Sequence, residues 1–368
     1  MLVNGKHYHT IWFSKDTPDQ ILFIDQRKLP FEFKIEKLKS VGEAYDAIQM
    51  MKVRGAPLIG VTGAWGIFLA CLEFAKDPDF DAQIEKAAAY LTSSRPTAVN
   101  LEYAIRRSMD RVRRENNVEL KQKAALQAAV ELCAQELEAC EKIGEQGLKI
   151  IEDLAEKKEG APLNILTHCN AGWLACIDYG TATAPIYAAH DKGLNVHVWV
   201  DETRPRNQGA RLTAWELRQH GVPHTIISDN NGGHLMQQGL VDLCIVGSDR
   251  TTAHGDVANK IGTYLKALAA KDNNIPFYVA LPSSSIDFEI KDGLKEIMIE
   301  QRSSEELSIM EGERNGEVQE FLVVPEGSIC RNDAFDVTPA RLVTGLITER
   351  GICNATETGI KLMFPEKY

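Results

Sequence analysis

NVHVWV, residues 195–200, is a short run of branched and aromatic residues that ends abruptly in Asp201-Glu202-Thr203-Arg204. It has the length of a strand, and it is too apolar for a strand with one face in water. The same grammar recurs in NILTH (164–168), HTIIS (224–228), DLCIVG (242–247), PFYVAL (276–281) and FLVVP (321–325). Helical stretches, including 209–220 and 256–270, separate most of these runs. Near-continuous apolar strands alternating with helices predict a parallel sheet covered on both faces. The second half is therefore expected to be a Rossmann-like α/β domain. No GxGxxG opens it, and GSDRTTAHGD (247–256) does not supply that spacing, so a nicotinamide cofactor is not expected.

Upstream the pattern differs. YHTIWF (8–13) and QILFIDQ (20–26) alternate loosely and predict short antiparallel strands, with FEFKIEKL (31–38) adding another. Ser40-Val41-Gly42-Glu43 reads as a capping box ahead of the helical AYDAIQMM (44–51). KVRGAPLIGVTGAWGIFLA (52–70) carries glycines at 55, 60, 63 and 66, which predict a tight turn running into a closely packed helix. Leu126, Val130, Cys133, Leu137 and Cys140 advance by four and three, a helical stripe that assigns Cys133 and Cys140 to the core. EKKEGAPLN (156–164) is the best boundary between a strand-and-helix region, 1–158, and the parallel-sheet domain, 159–368.

The 368 residues are 44% hydrophobic and carry a net charge of −11, which disfavours binding that rests on neutralising nucleic-acid phosphates. The N-terminus does not read as a secretion signal. No stretch is expected to span a membrane. Eight dispersed cysteines without a CxxC pair suit a reducing compartment, so the cytoplasm is the expected location.

Open parallel sheets bind ligands at the carboxyl ends of their strands. Here those ends are polar: His168-Cys169-Asn170, Asp201 to Arg204, Asp229-Asn230, Ser248-Asp249-Arg250 and Ser283-Ser284-Ser285. Together they are expected to rim one small-molecule crevice. Cys169 has three open readings: buried filler, metal ligand or reactive thiol. Asp249 suits either a cap or proton transfer. Asp256 is expected to cap a helix, placing Asn259 and Lys260 in its first turn. A lysine there opposes the helix dipole, which fits either an anion partner or a plain surface position. Arg54, Arg95 and Arg204 are further candidate anion ligands.

Six segments in order extend the reading: MKVRGAPLIG (51–60), SRPTAVNL (94–101), LTHCNAG (166–172), DETRPRNQGARLTAWEL (201–217), GSDRTTAHGDVANKIGTY (247–264) and AFDVTPARLVTGLITERG (334–351). The set resembles the 5-methylthioribose-1-phosphate isomerases of methionine salvage. Their wider family also holds ribose-1,5-bisphosphate isomerases and regulatory subunits of a translation-initiation exchange factor. The resemblance implies a homodimeric aldose–ketose isomerase acting on a sugar 1-phosphate, without organic cofactor or metal, nucleic acid or membrane. It implies a catalytic pair at Cys169 and Asp249, and substrate contacts at Arg54, Gly55, Ala56, Arg95, Gln208, Asn259 and Lys260. Ser248, Thr251, Thr252, His254 and Asp333 depart from the family's usual residues.

Overall fold

The structure is a computed structural model that describes residues 1–14, 17, 19–95 and 98–368. Pro96 and Thr97 of the SRPTAVNL segment lie outside the described residues.

The N-terminal strands form as the alternation predicts. Leu2–Val3 pairs with Lys6–His7, and Ile11–Phe13, Ile21–Ile24 and Ile35–Leu38 form an antiparallel sheet. Ser40 caps the Val41–Gln49 helix by accepting the Glu43 N–H, while the Glu43 carboxylate reaches back to the Lys39 N–H. The glycine-rich segment becomes the Ala56–Glu73 helix. At Gly60 an added Cβ would stand 2.8 Å from the Asn100 carbonyl oxygen, so the absence of a side chain lets the Val99–Val112 helix pack directly on it. By length and composition alone the Ala56–Glu73 helix could cross a membrane. It is instead buried from Ala56 to Cys71 inside the fold, with Trp65 stacked on Phe13 at 5.7 Å.

A 39-residue helix, Val118–Glu156, links the two halves of the chain. Ala125, Ala129 and Leu132 pack with the N-terminal helices, whereas Ile143 and Ile151 pack under the large sheet. Its buried face is turned from the predicted stripe: Val130 is exposed and Cys133 half-buried, while Cys140 is buried. Ala125, Ala128 and Ala129, which precede Val130, are buried in its place, because small side chains let neighbouring helices approach.

The large sheet has seven strands in the spatial order Gly351–Cys353, Gly345–Thr348, Phe277–Ala280, Leu243–Val246, Leu163–Thr167, Val196–Asp201, His224–Ile227. All neighbours are parallel except the Gly345–Thr348 and Gly351–Cys353 pair. Five of the six predicted runs are here. The sixth, FLVVP, is not: Glu317–Leu322 pairs antiparallel with Ile309–Arg314 in an exposed hairpin. Every residue of Glu317–Leu322 is exposed, so this strand lacks the burial on both faces that its apolar run predicted. Gly345–Thr348 takes the place at the sheet that FLVVP was expected to fill.

A second, four-stranded sheet comprises Ile286–Asp287, Arg250–Thr252, Val257–Lys260 and Phe335–Thr338. Its third strand overturns the expected helix start at Asp256. Residues 257–260 are extended, and the helix runs from Thr263 to Asp272 behind Gly262 at φ 103°. VANK does not alternate apolar with polar and all four of its residues are buried, so its strand comes from pairing with Arg250–Thr252 and Phe335–Thr338, while the apolar spacing Val257, Ile261, Tyr264 suggested a helix. The argument from the helix dipole at Lys260 falls with it.

Candidate active site

The Leu163–Thr167 strand lies between Val196–Asp201 and Leu243–Val246. Chain direction around the sheet reverses there, so the crevice at a topological switch point opens beyond Thr167 and Val246. Cys169 follows the first strand and Asp249 the second. Of the five polar strand ends expected to converge, these two lie within electrostatic reach of each other, and the Asp201–Arg204 end touches the Cys169 turn through Thr203. Asp229 accepts the N–H groups of Thr203 and Arg204, each at 2.7 Å, and so pins a neighbouring loop. Arg204 donates to the carbonyls of Pro205 and Leu307 and is committed to holding the chain. Ser284 faces a separate groove of about 700 Å³, where it donates to Glu136 at 2.9 Å.

The turn that presents Cys169 is fixed from both sides. The Cys169 N–H donates to Thr203 Oγ1 at 2.8 Å, and Thr213 Oγ1 donates to the Cys169 carbonyl at 2.7 Å. These bonds hold Cys169 at φ 65°, a left-handed conformation that non-glycine residues adopt at a cost of about 1–3 kcal/mol. Its neighbour His168 faces away from the chemistry. His168 Nδ1 lies 2.8 Å from Asp201 Oδ2 and Nε2 lies 2.8 Å from the Ile261 carbonyl, while Lys266 Nζ pairs with the same Asp201 oxygen at 3.0 Å. The ring thus ties the strand end to the segment after Lys260.

Arg54 stands just before the Ala56–Glu73 helix and is buried. Gly55 sits at φ 94°, and a Cβ there would fall 2.5 Å from the Ala175 carbonyl oxygen, so this position admits only glycine. No side chain caps the helix, and although Pro57 has no N–H, those of Ala56 and Leu58 suit an anion. Arg95 donates to Glu300 Oε2 from Nε at 3.1 Å and Nη2 at 2.9 Å. Lys260 reaches in from the second sheet. Its cross-strand partner is Phe335, and Nζ lies 4.8 Å from the centre of that ring.

These groups act on one another. Burial pushes the Cys169 thiol up, opposed by Arg54 and Lys260 and reinforced by Asp249. Burial likewise raises Asp249 above the usual carboxylate range, opposed by Lys260, Arg95 and Arg54. Burial lowers Lys260, opposed by Cys169 and Asp249. Ala56, Arg95 and Asp249 also line one small cavity, whose other walls include Ile59, Ala98, Ile297, Met298, Ile299 and Phe335.

Thus Arg54, Ala56, Arg95, Cys169, Asp249 and Lys260 form one cluster, with Gly55 shaping its edge. Asn259 is adjacent in the strand, but its Nδ2 donates to Thr263 Oγ1 at 3.0 Å. Gln208 is buried, its Oε1 has no hydrogen-bond partner among the described residues, and no hydrogen bond joins it to the cluster. Asn170, Glu300 and Phe335 were not singled out as site residues. Asn170 sat in view beside Cys169, and Phe335 lay inside a matched segment. Glu300 carried no local signal, because only tertiary folding brings residue 300 to residue 95.

Residues 52–355 match the model of the initiation factor 2 subunit family. The chain belongs to this family. Among family relatives, the methylthioribose-1-phosphate isomerase of Desulfatibacillum aliphaticivorans is 58% identical, with the whole of both chains covered. The crystal structure of 5-methylthioribose 1-phosphate isomerase from Pyrococcus horikoshii superposes with a TM-score of 0.83 at 39% identity, covering 98% of this chain and 97% of that one. The structure of the translation initiation factor eIF-2B subunit delta from A. fulgidus gives 0.79 at 38% identity, covering 98% and 100%. The mixed α/β architecture is therefore shared between members bearing two kinds of name, and the site must distinguish them.

Proposed function

We propose that this protein isomerises 5-methylthio-α-D-ribose 1-phosphate to 5-methylthio-D-ribulose 1-phosphate, as a step of methionine salvage. The observation that carries the reading is the pairing of Cys169 and Asp249 across the switch point, within the influence of Arg54 and Lys260. An assembly subunit has no use for a buried thiol and carboxyl surrounded by cations. Full-length relatives named as this isomerase support the same reading. By family resemblance the enzyme is a cytoplasmic homodimer that uses no organic cofactor or metal in the reaction. Its eight cysteines are all free thiols, in keeping with that compartment.

The phosphate on the anomeric oxygen blocks opening to a free aldehyde, so the bond between C1 and the ring oxygen must break. Asp249 protonates the ring oxygen; its raised proton affinity suits an acid. Two routes follow. Cys169 removes the C2 proton to give an enediol that is reprotonated at C1, or hydride shifts from C2 to C1 as Asp249 takes the 2-hydroxyl proton. In the second route Cys169 polarises the site. Arg54, Lys260, Arg95 and the N–H groups at Gly55 and Ala56 hold the phosphate. Gln208 and Asn259 bind sugar hydroxyls. The wall formed by Ile59, Ile297, Met298 and Phe335 receives the methylthio group and excludes water.

The deciding experiment compares turnover on methylthioribose 1-phosphate, 5-deoxyribose 1-phosphate and ribose 1,5-bisphosphate. The highest kcat/KM is expected for the first. A preference for the bisphosphate would reassign the substrate, and no isomerisation of any of the three would return the chain to an assembly role.

A further inference from the structure

His7 ends the Lys6–His7 strand, and Tyr8 and His9 follow it. Tyr8 packs edge-on against Phe33 at 5.1 Å, while both histidines turn toward Asp178. His7 Nε2 lies 2.9 Å from Asp178 Oδ2, and His9 Nε2 lies 3.7 Å from the same oxygen. The two rings stand 5.0 Å apart and nearly perpendicular. The three donor atoms all lie within 4.8 Å of one another.

The carboxylate is aimed. Asp178 Oδ1 accepts the Tyr179 N–H at 2.9 Å and the Met1 amino group at 2.6 Å, which leaves Oδ2 for the histidines. A hydrogen bond accounts for His7 alone. At 3.7 Å His9 is beyond hydrogen-bond range, and its ring has no hydrogen bond among the described residues. Donors of a tetrahedral zinc ion, bound at about 2.0–2.1 Å, stand roughly 3.3 Å apart. The observed 2.9 and 3.7 Å bracket that separation. Asp178 is buried, His9 half-buried and His7 exposed, so the open side of the triad faces solvent.

We propose that His7, His9 and Asp178 bind one divalent transition-metal ion, Zn²⁺ by its donor set, with water at the fourth position. Two imidazoles select against Mg²⁺ and Ca²⁺. The ion is structural. The same N-terminal segment is already stitched to the loop that follows Cys169, through the Thr10 N–H to the Ile177 carbonyl at 3.0 Å and Thr10 Oγ1 to the Trp173 carbonyl at 2.9 Å. A metal at Asp178 clamps that seam and takes no part in the isomerisation, so the inference stands apart from the assigned reaction.

The test titrates the chelator-treated full chain with Zn²⁺ by calorimetry and with Co²⁺ by visible absorption. One ion per chain, a tetrahedral Co²⁺ spectrum and a higher Tm with Zn²⁺ are expected. His7→Ala and His9→Ala each weaken binding by about a hundredfold or more, with metal-free Tm and turnover unchanged. Binding persists in Cys169→Ser, which separates this site from the thiol. The proposal is overturned by absent saturable binding, by binding that survives the double histidine variant, or by binding that disappears with Cys169.

Discussion

Arg54 donates from both terminal guanidinium nitrogens to Asn170, one to Oδ1 and one to the backbone carbonyl, each at 2.5 Å. Asn170 Nδ2 donates in turn to Thr213 Oγ1 and Glu216 Oε1, each at 3.1 Å. The plane of the guanidinium is thereby set by Asn170, which Thr213 and Glu216 hold in turn. Asn170→Ala should raise KM more than it lowers kcat, with kcat/KM falling about tenfold to a hundredfold, the worth of roughly 1–3 kcal/mol of lost hydrogen bonding. Steady-state kinetics alongside a thermal melt checks this. An unchanged KM in a folded variant would remove Asn170 from the positioning of Arg54.

Asp249→Asn keeps the shape of the carboxyl and removes its proton chemistry. Cys169→Ser replaces the thiol with a hydroxyl of similar shape and much higher proton affinity. Each should cost about 10²–10⁴ in kcat, the usual range for a general acid or base. Solvent deuterium found at C1 of the product favours the enediol route. Circular dichroism should show both variants folded, and near-native turnover in either one refutes its role.

Burial lowers the pKa of Lys260, so this cation loses its charge at lower pH than an ordinary lysine. A lysine is charged below its pKa, so phosphate binding should weaken as pH rises through that lowered value. KM is expected to climb on the alkaline side. In Lys260→Arg the charge persists, the guanidinium can stack on Phe335, and the alkaline rise should vanish. A KM profile with the same alkaline rise in wild type and variant would assign that limb to another group.

Much of this candidate site was legible because Cys169 and Asp249, the pair proposed to react, follow strand ends of the parallel sheet. The apolar runs located those ends, and ordered motifs singled out Cys169 and Asp249 from five polar tips. Lys260 was placed on the wrong element, since VANK fits an extended chain as readily as a helix. Only tertiary pairing with Phe335–Thr338 decides it. The Arg95–Glu300 contact was beyond reach, as it joins residues 205 positions apart. FLVVP failed for the converse reason. Its residues have strand character, but no helix follows to cover them, and Gly345–Thr348 completes the sheet.

Glu136 is buried on the long helix. Its Oε1 accepts from Ser284, while its Oε2 has no partner among the described residues. Burial raises its pKa from 4.5 to about 7. The unfolded side chain releases its proton near the lower value and the folded one near the higher. Between them unfolding releases a proton, so rising pH favours the unfolded chain. The penalty is absent below the unfolded value and reaches about 3 kcal/mol once the folded group ionises. Glu136→Gln should therefore gain stability over wild type between pH 5 and pH 8 in urea unfolding. A difference that stays flat with pH would show that Glu136 ionises normally in the fold.

Gly55 carries the strictest steric demand at the site. Its φ of 94° and ψ of 137° lie where L side chains are disfavoured, and an added methyl would sit 2.5–2.6 Å from Ala175. Those atoms belong to a buried backbone turn that cannot move aside like a flexible side chain. Gly55→Ala must then rotate the peptide between Arg54 and the Ala56–Glu73 helix. Conformational strain of about 1–3 kcal/mol adds to the overlap, and a loss of several kcal/mol in stability is expected. The same rotation withdraws Arg54 from Asn170 and turns away the N–H groups at Gly55 and Ala56 that are proposed to hold the phosphate. Activity should fall below detection in whatever fraction stays folded. Gly63→Ala separates crowding from backbone strain, because the nearest atom there is the end of Leu101, at 2.5 Å. That variant should lose less stability and keep KM unchanged. Equal damage from both would mean that crowding alone, and no special backbone, governs Gly55.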